Sequence, residues 1–242
     1  MRLTVVGCSP AWPNPGGAQS GYLLDGGGSL LLDCGPGVLA RLRARGSWPT
    51  PDAIVITHFH LDHWGDLVPW VWGASYLERR DDPPPQPELW VPPGGAKQLE
   101  QFGSLLGFPD MFERAFALHE YTAGAEFAAA GFTVTPIRVP HYRLDAYALR
   151  ATNGTRTLAY SGDSAPSDAL AEVARDADLF VCEATLARGD LDGEPRGHLS
   201  LDEALAAHTQ SGAKRLLLTH RPAELVAENG LELAYDGLSC DV

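Results

Sequence analysis

The chain has 242 residues, of which 45% are hydrophobic and 20% are charged, a balance typical of a globular protein with a substantial buried core. Its 31 acidic residues outnumber its 18 basic residues, which gives a formal net charge of −13. Binding to a long nucleic acid depends on lysine and arginine, so this charge argues against a polymeric nucleic-acid partner. The longest apolar runs have the length of a strand, which excludes a membrane-spanning segment.

The first third of the chain is rich in predicted strands. Apolar patterns predict four strands, at Arg2–Gly7, Gly21–Asp25, 29–33 and 53–57. They also predict one helix, at 36–46. The run at 53–57 is apolar throughout, as in a strand that is buried on both faces. A further helical pattern covers 63–80, and we expect Pro69 to interrupt it.

The rest of the chain alternates between strand and helix patterns. Strands are predicted at 89–93, 126–141, 146–163 (a hairpin), 178–185 and 215–220, and helices at 95–107, 166–177 and 200–213. The hairpin turns at Asn153-Gly154, and the last helix opens with a capping box formed by Ser200 and Glu203. This alternation predicts an α/β protein, a layered sandwich that forms one domain over residues 1–242.

The segment "THFHLDH", directly after the predicted strand at 53–57, carries His58, His60, Asp62 and His63. Two histidines two positions apart at a strand end project to the same side, so both imidazoles can reach one metal ion. Asp62 and His63 lie in the following turn and can reach a second ion nearby. Imidazole and carboxylate ligands without a thiolate suit Zn²⁺, Mn²⁺ or Fe²⁺ in an open catalytic site.

Three further polar residues each follow an apolar strand, namely His141, Asp163 and His220. Taken singly, a histidine at a strand end is more often a surface or capping residue, and an aspartate after glycine is commonly a turn former. Taken together, they complete the coordination of two ions. We therefore interpret all three as metal ligands.

The motifs "THFHLDH", His141, "YSGD" and "LLLTH" resemble, in order, those of the metallo-β-lactamase superfamily, and the resemblance covers essentially the whole chain. It implies a four-layered αβ/βα sandwich with a dinuclear metal site at one edge of the two sheets. It assigns His58, His60 and His141 to the first ion, Asp62, His63 and His220 to the second, and Asp163 to a bridging position. A hydroxide that bridges the two ions would then attack the substrate.

The stretch "EATLARGDLDGEPRGHL" resembles a segment of ribonuclease Z and of its small-molecule phosphodiesterase relatives. The resemblance implies that His198 protonates the departing alkoxide or steadies charge on the phosphorane, while Glu183 orients its imidazole. Asp62 is the third predicted catalytic residue. The alternative is that His198 merely precedes the helix capped by Ser200, where it would be exposed and inert.

Two departures from ribonuclease Z bear on the substrate. The segments between the motifs are too short for a tRNA-binding arm, and Leu199 stands where that family has serine. We therefore expect a metal-dependent phosphodiesterase that acts on a small anionic substrate, with 3′,5′-cyclic AMP as one candidate, and no tRNA or other polymeric nucleic acid as partner. The alternatives are a lactone or thioester hydrolase on the same site, and a non-catalytic metal-binding sensor.

The sequence also predicts the cofactor and the location of the protein. We expect two divalent ions, zinc before manganese or iron. The four cysteines are scattered without a C-x-x-C pair and the N-terminus has no signal-peptide pattern, which predicts reduced thiols and a cytoplasmic location. The sequence predicts no membrane partner and allows a homodimer.

His119 and His208 are interpreted as structural.

Overall fold

Two β-sheets lie face to face in the computed structural model, which describes residues 1–46, 51–78, 81, 85–225 and 230–242. The strands of the first sheet are β1 (Arg2–Gly7), β2 (Gly21–Asp25), β3 (Ser29–Leu32), β4 (Ala53–Val55), β5 (Glu88–Val91), β6 (Ala117–Glu120) and β13 (Ser239–Asp241). Within the described residues they are arranged in the order β13-β1-β2-β3-β4-β5-β6.

The strands of the second sheet are β7 (Phe127–Ala129), β8 (Phe132–His141), β9 (Leu144–Thr152), β10 (Thr157–Tyr160), β11 (Leu179–Glu183) and β12 (Leu216–Thr219). Their order in the described part of the chain is β12-β11-β10-β9-β8-β7. The predicted hairpin pairs β9 with β10 around Asn153-Gly154. Gly154 has a φ of 84°, which suits glycine at this turn.

Helices cover the outer face of each sheet. On the first sheet lie α1 (Val38–Ala44), α2 (Leu61–Trp64), α3 (Leu67–Leu77), α4 (Gly95–Leu105) and α5 (Met111–Ala115), and on the second lie α6 (Asp168–Val173) and α7 (Leu201–Ser211). The α7 helix has the predicted capping box between Ser200 and Glu203. No helix in the described residues combines the length and the apolar character needed to cross a membrane.

The alternation of side chains along the strands explains the four layers. In β3, Leu30 and Leu32 belong to the core between the two sheets, whereas Leu31 packs with the helices. Successive side chains of a strand point to opposite faces, so a strand that is apolar throughout is buried on both sides. The same holds for β4, where Ile54 faces the helices. The predicted four-layered αβ/βα sandwich is confirmed.

The direction of the strands brings several strand ends to one edge. Strands β3, β4, β5 and β6 are parallel, as are β10, β11 and β12. Strand β8 runs in the same direction as β10 because both are antiparallel to β9. The residues at the ends of β8, β10, β11 and β12 therefore share one edge of the second sheet, and residues after β4 of the first sheet meet them there.

Some predicted boundaries differ from the structure. The strand predicted at 53–57 ends at Val55, and the Thr57 N–H donates to the Asp33 carboxylate (2.8 Å) instead of to a neighbouring strand. Pro69 does not interrupt a helix, because it lies in the first turn of α3, where its missing N–H costs no helical hydrogen bond. The break between α2 and α3 falls earlier, at Gly65 and Asp66. Residues 79–80 of the predicted helix lie outside the described residues.

Among the α-helices and strands given above, α5, β6 and β13 were not predicted from the sequence. The side chains of β6 are half-buried or exposed, so its sequence lacks the alternation that marks a strand. Strand β13 is short and only partly buried. Both lie at the edges of the first sheet. Edge strands are less buried, so the alternation of apolar and polar residues in their sequence is weaker.

Candidate metal centre

Four strand ends supply all seven predicted metal ligands. The turn after β4 carries His58, His60, Asp62 and His63, and the ends of β8, β10 and β12 carry His141, Asp163 and His220. Their side chains form two clusters that could each hold a metal ion, with ligand atoms within 4.8 Å of one another. The structure therefore brings together residues that are up to 162 positions apart in the sequence.

The first cluster consists of His58, His60, His141 and Asp163. Nδ1 of His60 lies 3.2 Å from Nε2 of His58 and 2.8 Å from Nε2 of His141. Oδ2 of Asp163 lies 3.8 Å from Nε2 of His58 and 3.9 Å from Nε2 of His141. Three ring nitrogens thus converge beside one carboxylate.

The second cluster consists of Asp62, His63, Asp163 and His220. Nε2 of His63 lies 3.3 Å from Oδ2 of Asp62 and 3.2 Å from Oδ2 of Asp163. Nε2 of His220 lies 3.2 Å from Oδ2 of Asp62 and 3.6 Å from Oδ1 of Asp163. Because Asp163 belongs to both clusters, it stands where a bridging ligand is expected.

Hydrogen-bond partners behind the rings fix which nitrogen faces each cluster. Nδ1 of His141 lies 2.6 Å from the carbonyl oxygen of Gly197, and Nδ1 of His220 lies 2.9 Å from Oγ1 of Thr185. A carbonyl oxygen can only accept, so Nδ1 of His141 carries the proton and Nε2 is left with its lone pair. Such outer partners orient histidine ligands and raise their basicity.

Asp33 plays the same part for His63. Its Oδ2 lies 2.7 Å from Nδ1 of His63 and accepts a hydrogen bond from the Tyr160 hydroxyl at 2.9 Å, and both Asp33 and His63 are fully buried. The sequence interpretation overlooked Asp33. Its signal was present, since Asp33 directly follows the apolar strand β3 as His220 follows β12.

The backbone at His220 is strained. Its φ of 55° lies in the left-handed region, which costs a residue other than glycine about 1–3 kcal/mol. The His220 N–H donates to the carbonyl oxygen of Cys8 at 3.1 Å, and the Thr185 hydroxyl lies 3.0 Å from the His220 carbonyl oxygen. Strain of this kind is found at functional sites, where surrounding contacts hold it.

Two atoms in the clusters indicate that the site suits a metal. Nε2 of His63 and Oδ1 of Asp163 are buried, and neither has a hydrogen-bond partner in the described part of the chain. A buried polar atom without a partner costs free energy, and a coordinated cation would satisfy both. Imidazoles with carboxylates are a donor set for zinc and other divalent transition metals.

The protonation of His58 and Asp163 agrees with a ligand role. Burial, together with the nearby His63, holds the pKa of His58 well below its usual range, so the ring is neutral, as a ligand must be. Burial disfavours ionisation of Asp163, but His220 and His63 outweigh it and hold the pKa of that carboxyl well below its usual range. A neutral imidazole at His58 therefore faces a carboxylate that is ionised.

Glu183 and His198 form a pair next to the clusters. Nδ1 of His198 lies 3.1 Å from Oε1 of Glu183 and 3.9 Å from Oδ2 of Asp163. The Ser164 N–H donates to Oε1 of Glu183 at 2.8 Å, which fixes this fully buried carboxylate. The side chain of His198 is only 13% exposed, so His198 is not the exposed residue of the alternative interpretation.

Asp192 organises the segment that carries His198. Its Oδ2 accepts hydrogen bonds from the N–H groups of Gly197 (2.7 Å) and His198 (3.0 Å), and its Oδ1 accepts one from the Tyr142 hydroxyl (3.2 Å). The sequence interpretation missed Asp192, which lies in a loop without a strand before it. No local pattern distinguishes it from a loop former.

The two remaining histidines with a structural interpretation lie outside the clusters. The His119 ring stacks on Trp90 with centroids 4.5 Å apart, and Nε2 of His208 lies 2.9 Å from the carbonyl oxygen of Ala213.

A layered sandwich with two ligand clusters that share a carboxylate at one edge is the architecture of a metal-dependent hydrolase. Residues 29–221 match the β-lactamase superfamily domain. The chain belongs to the metallo-β-lactamase superfamily, in which it is a metallo-hydrolase.

Its relatives agree with this assignment. The chain is 32% identical to the probable metallo-hydrolase YhfI of Bacillus subtilis (strain 168) over 95% of its own length and 90% of the relative. The crystal structure of YhfI superimposes with a TM-score of 0.85 at 26% identity, covering 99% of this chain and 98% of that one. The chain is also 29% identical to a ribonuclease Z of Mycobacterium bovis (strain BCG / Pasteur 1173P2), over 91% of its length and 85% of the relative.

Proposed function

We propose that the chain is a phosphodiesterase that acts on a small anionic phosphodiester, with cyclic nucleotides as candidate substrates. The observation that carries the proposal is the Glu183–His198 pair, whose imidazole lies 3.9 Å from the shared carboxylate of Asp163. An alkoxide leaves poorly unless it is protonated, so a diester needs an acid beside the ligand clusters. A thioester depends less on such an acid, because the thiolate that it releases is a better leaving group than an alkoxide.

The ligand clusters would hold two divalent ions. His58, His60 and His141 would bind one ion, Asp62, His63 and His220 the other, and Asp163 both. Ions in these positions supply Lewis acidity, which lowers the pKa of water and offsets charge on the phosphoryl oxygens. We propose zinc as the ion, on the strength of three imidazoles in one cluster and no thiolate in either.

His198 would supply the proton for the leaving group. Its Nδ1 is held by Glu183, so Nε2 is the nitrogen from which a proton can pass to the substrate. When the P–O bond breaks, the departing oxygen keeps the bonding electrons and takes this proton, which leaves a neutral imidazole. Burial opposes the charge, yet Glu183 raises the pKa of His198 to about 9, so the ring is protonated at neutral pH.

Two further observations support a small diester as the substrate. A ribonuclease, the activity in the name of one relative, cleaves phosphodiester bonds. The net charge of −13 disfavours binding of a polyanion. A small anion would be attracted by the positive charge of metal ions bound at the site itself. We also propose a cytoplasmic location, which the four free thiols support.

The proposal is tested by varying the leaving group. The zinc- or manganese-loaded protein is assayed with 3′,5′-cyclic AMP, which releases an alkoxide, and with bis(p-nitrophenyl) phosphate, which releases a good leaving group. A general acid contributes about 10²–10⁴-fold to a rate. We expect His198→Ala to lose about that factor on cyclic AMP and much less on the activated diester.

The matched control is His119→Ala, which removes a histidine that stacks on Trp90 outside the clusters and should match the wild type on both substrates. Equal losses on both diesters in His198→Ala would remove the leaving-group role of His198. A wild-type protein that opens a lactone or thioester and ignores both diesters would overturn the phosphodiesterase proposal.

A further inference from the structure

The aromatic ring of Tyr142 lies at the mouth of the metal centre. Its centroid is 4.8 Å from that of the ligand His141 and 5.5 Å from that of His198, and it is 6.3 Å from that of His60. The residue is nevertheless 39% exposed. One part of the ring therefore contacts the site, and another part faces solvent.

The backbone at Tyr142 does not suit tyrosine. Tyr142 and Arg143 form the two-residue turn between β8 and β9, which closes at the pair His141 and Leu144. The φ of Tyr142 is 48°, in the left-handed region, and the first position of such a turn is usually glycine or asparagine. Turn chemistry alone therefore does not explain why an aromatic residue stands here.

The surrounding structure fixes the ring in place. The Tyr142 N–H donates to the carbonyl oxygen of Arg196 at 2.9 Å, and the hydroxyl donates to Asp192 at 3.2 Å. A side chain at Gly197 would collide with the ring, so only glycine permits this approach. A ring that is already ordered loses little entropy when a ligand stacks on it.

Space for a ligand adjoins the ring. A groove of about 420 Å³ is lined by His141, Tyr142, Arg143 and Leu144, among others. One of its lining residues, His141, belongs to the first cluster.

We propose that Tyr142 is a specificity-determining residue of this site, whose ring stacks on a planar aromatic substituent of the substrate. The inference rests on the proposed function, in that the substrate is a phosphodiester, and it narrows the substrates to diesters that carry a nucleobase or an aryl group. Stacking on an aromatic side chain tolerates different bases, since each has a π face.

The test measures binding without turnover. Phenylphosphonate and methylphosphonate share an anionic head group and differ only in the planar ring, so their affinities for the zinc-loaded protein, measured by calorimetry, report stacking. Tyr142→Asn removes the ring and leaves a residue that readily adopts a left-handed φ. We expect it to weaken phenylphosphonate binding about tenfold, a loss within the range for one stacked group, with methylphosphonate binding unchanged.

Two variants separate the ring from other effects. Tyr142→Phe keeps the ring and removes only the hydrogen bond to Asp192, so it should retain the preference for phenylphosphonate. Tyr76→Asn changes a tyrosine of α3 that is 73% exposed, and it should bind both phosphonates as the wild type does.

Each outcome bears on a different statement. Equal loss of both phosphonates in Tyr142→Asn, or no loss of either, would overturn the role of Tyr142 even if diesters are hydrolysed. Selective loss of phenylphosphonate, in a protein that hydrolyses no diester, would support stacking at Tyr142 while the proposed function fails.

Discussion

The Thr185 hydroxyl lies 2.9 Å from Nδ1 of His220 and, on its other side, 2.6 Å from Oε2 of Glu183. Because the Glu183 carboxylate can only accept, Thr185 donates to it and accepts from the N–H of His220. One hydroxyl therefore connects His220, a proposed metal ligand, to the carboxylate that pairs with His198. Hydrogen bonds thus join the second ligand cluster to the proposed proton donor through a residue that belongs to neither ligand cluster.

Replacing Thr185 by valine should weaken metal binding and slow hydrolysis together. Valine keeps the shape of threonine but leaves the N–H of His220 without its acceptor. It also removes the hydroxyl donor to Oε2 of Glu183, which keeps the N–H groups of Thr185 and Leu199. Loss of such an outer partner costs about 10–100-fold in metal affinity or activity. The measurement is zinc affinity by competition with a chelator, alongside hydrolysis of bis(p-nitrophenyl) phosphate.

Thr185→Ser is the matched control, because serine retains the hydroxyl and loses only a methyl group. It should recover most of the metal affinity. If the valine variant binds zinc as tightly as the wild type, the hydrogen bond to His220 does not support the ligand.

Asp33→Asn should remove support for the second ion specifically. The Asp33 carboxylate accepts hydrogen bonds from Thr57 and Tyr160 and is paired with His63, so an amide, with its two N–H groups, faces donors whichever way it turns. Each donor left without an acceptor costs about 1–3 kcal/mol. We expect the zinc content after dialysis to fall from two towards one per chain, with a lower free energy of unfolding in urea.

Tyr160→Phe separates the two effects. It removes one donor to Asp33 and leaves the carboxylate beside His63, so it should retain two zinc ions at a cost of about 1 kcal/mol in stability. If the Asp33→Asn variant still holds two ions at wild-type affinity, the role given to Asp33 is wrong.

Seven candidate ligands could be predicted from the sequence because they stand at the ends of strands or in the turn that follows one. His58, His141, Asp163 and His220 all follow such strands, and strands that share a direction bring their ends to one edge. That rule needs only local patterns and the parallel arrangement of an α/β sheet. The layered α/β sandwich followed from the alternation of strands and helices, and its four layers followed from the resemblance to the metallo-β-lactamase superfamily.

The supporting residues could not be predicted in this way. Asp33 and Tyr160 are 127 positions apart and meet only when the two sheets pack face to face. Thr185 and Asp192 act through hydrogen bonds that exist only once the chain has turned back on itself. Tyr142 is marked by a φ of 48°, a property of the folded backbone.

Asp192→Asn should impair the proton donor and leave the metal ions in place. Asp192 accepts from the N–H groups of Gly197 and His198 on Oδ2 and from the Tyr142 hydroxyl on Oδ1. An amide has one acceptor oxygen, so it cannot accept on both sides. The His198 segment would then be held less firmly. We expect about a tenfold loss in kcat for cyclic AMP, which is at the lower end of what loss of a supporting hydrogen bond costs. The loss for bis(p-nitrophenyl) phosphate should be smaller, and the zinc content should be unchanged.

Asp190→Asn is the control for this prediction, because Asp190 lies in the same loop and pairs with Arg188 on the surface, where its side chain is 70% exposed. Its activity should match the wild type on both diesters. Equal losses on the two diesters in Asp192→Asn would mean that Asp192 supports the loop as a whole and not the proton donor.

Asp178 should stabilise the fold in a way that depends on pH. Its carboxylate accepts hydrogen bonds from Lys214 (2.8 Å), the Thr157 N–H (2.9 Å) and Arg156 (2.9 Å), which lower the pKa of Asp178 to about 2 from an ordinary value of 3.8. Because the folded pKa lies below the unfolded one, the stabilisation is complete well above pH 3.8 and is lost as the pH falls through about 2. We expect Asp178→Asn to lower the free energy of unfolding by about 1 kcal/mol at pH 7 and by roughly half as much at pH 3, measured with urea.

Asp145→Asn is the control. It breaks an exposed ion pair with Arg138 and should have little effect on the free energy of unfolding at either pH. An equal effect of Asp178→Asn at both pH values would show that the charge of Asp178 contributes nothing to stability.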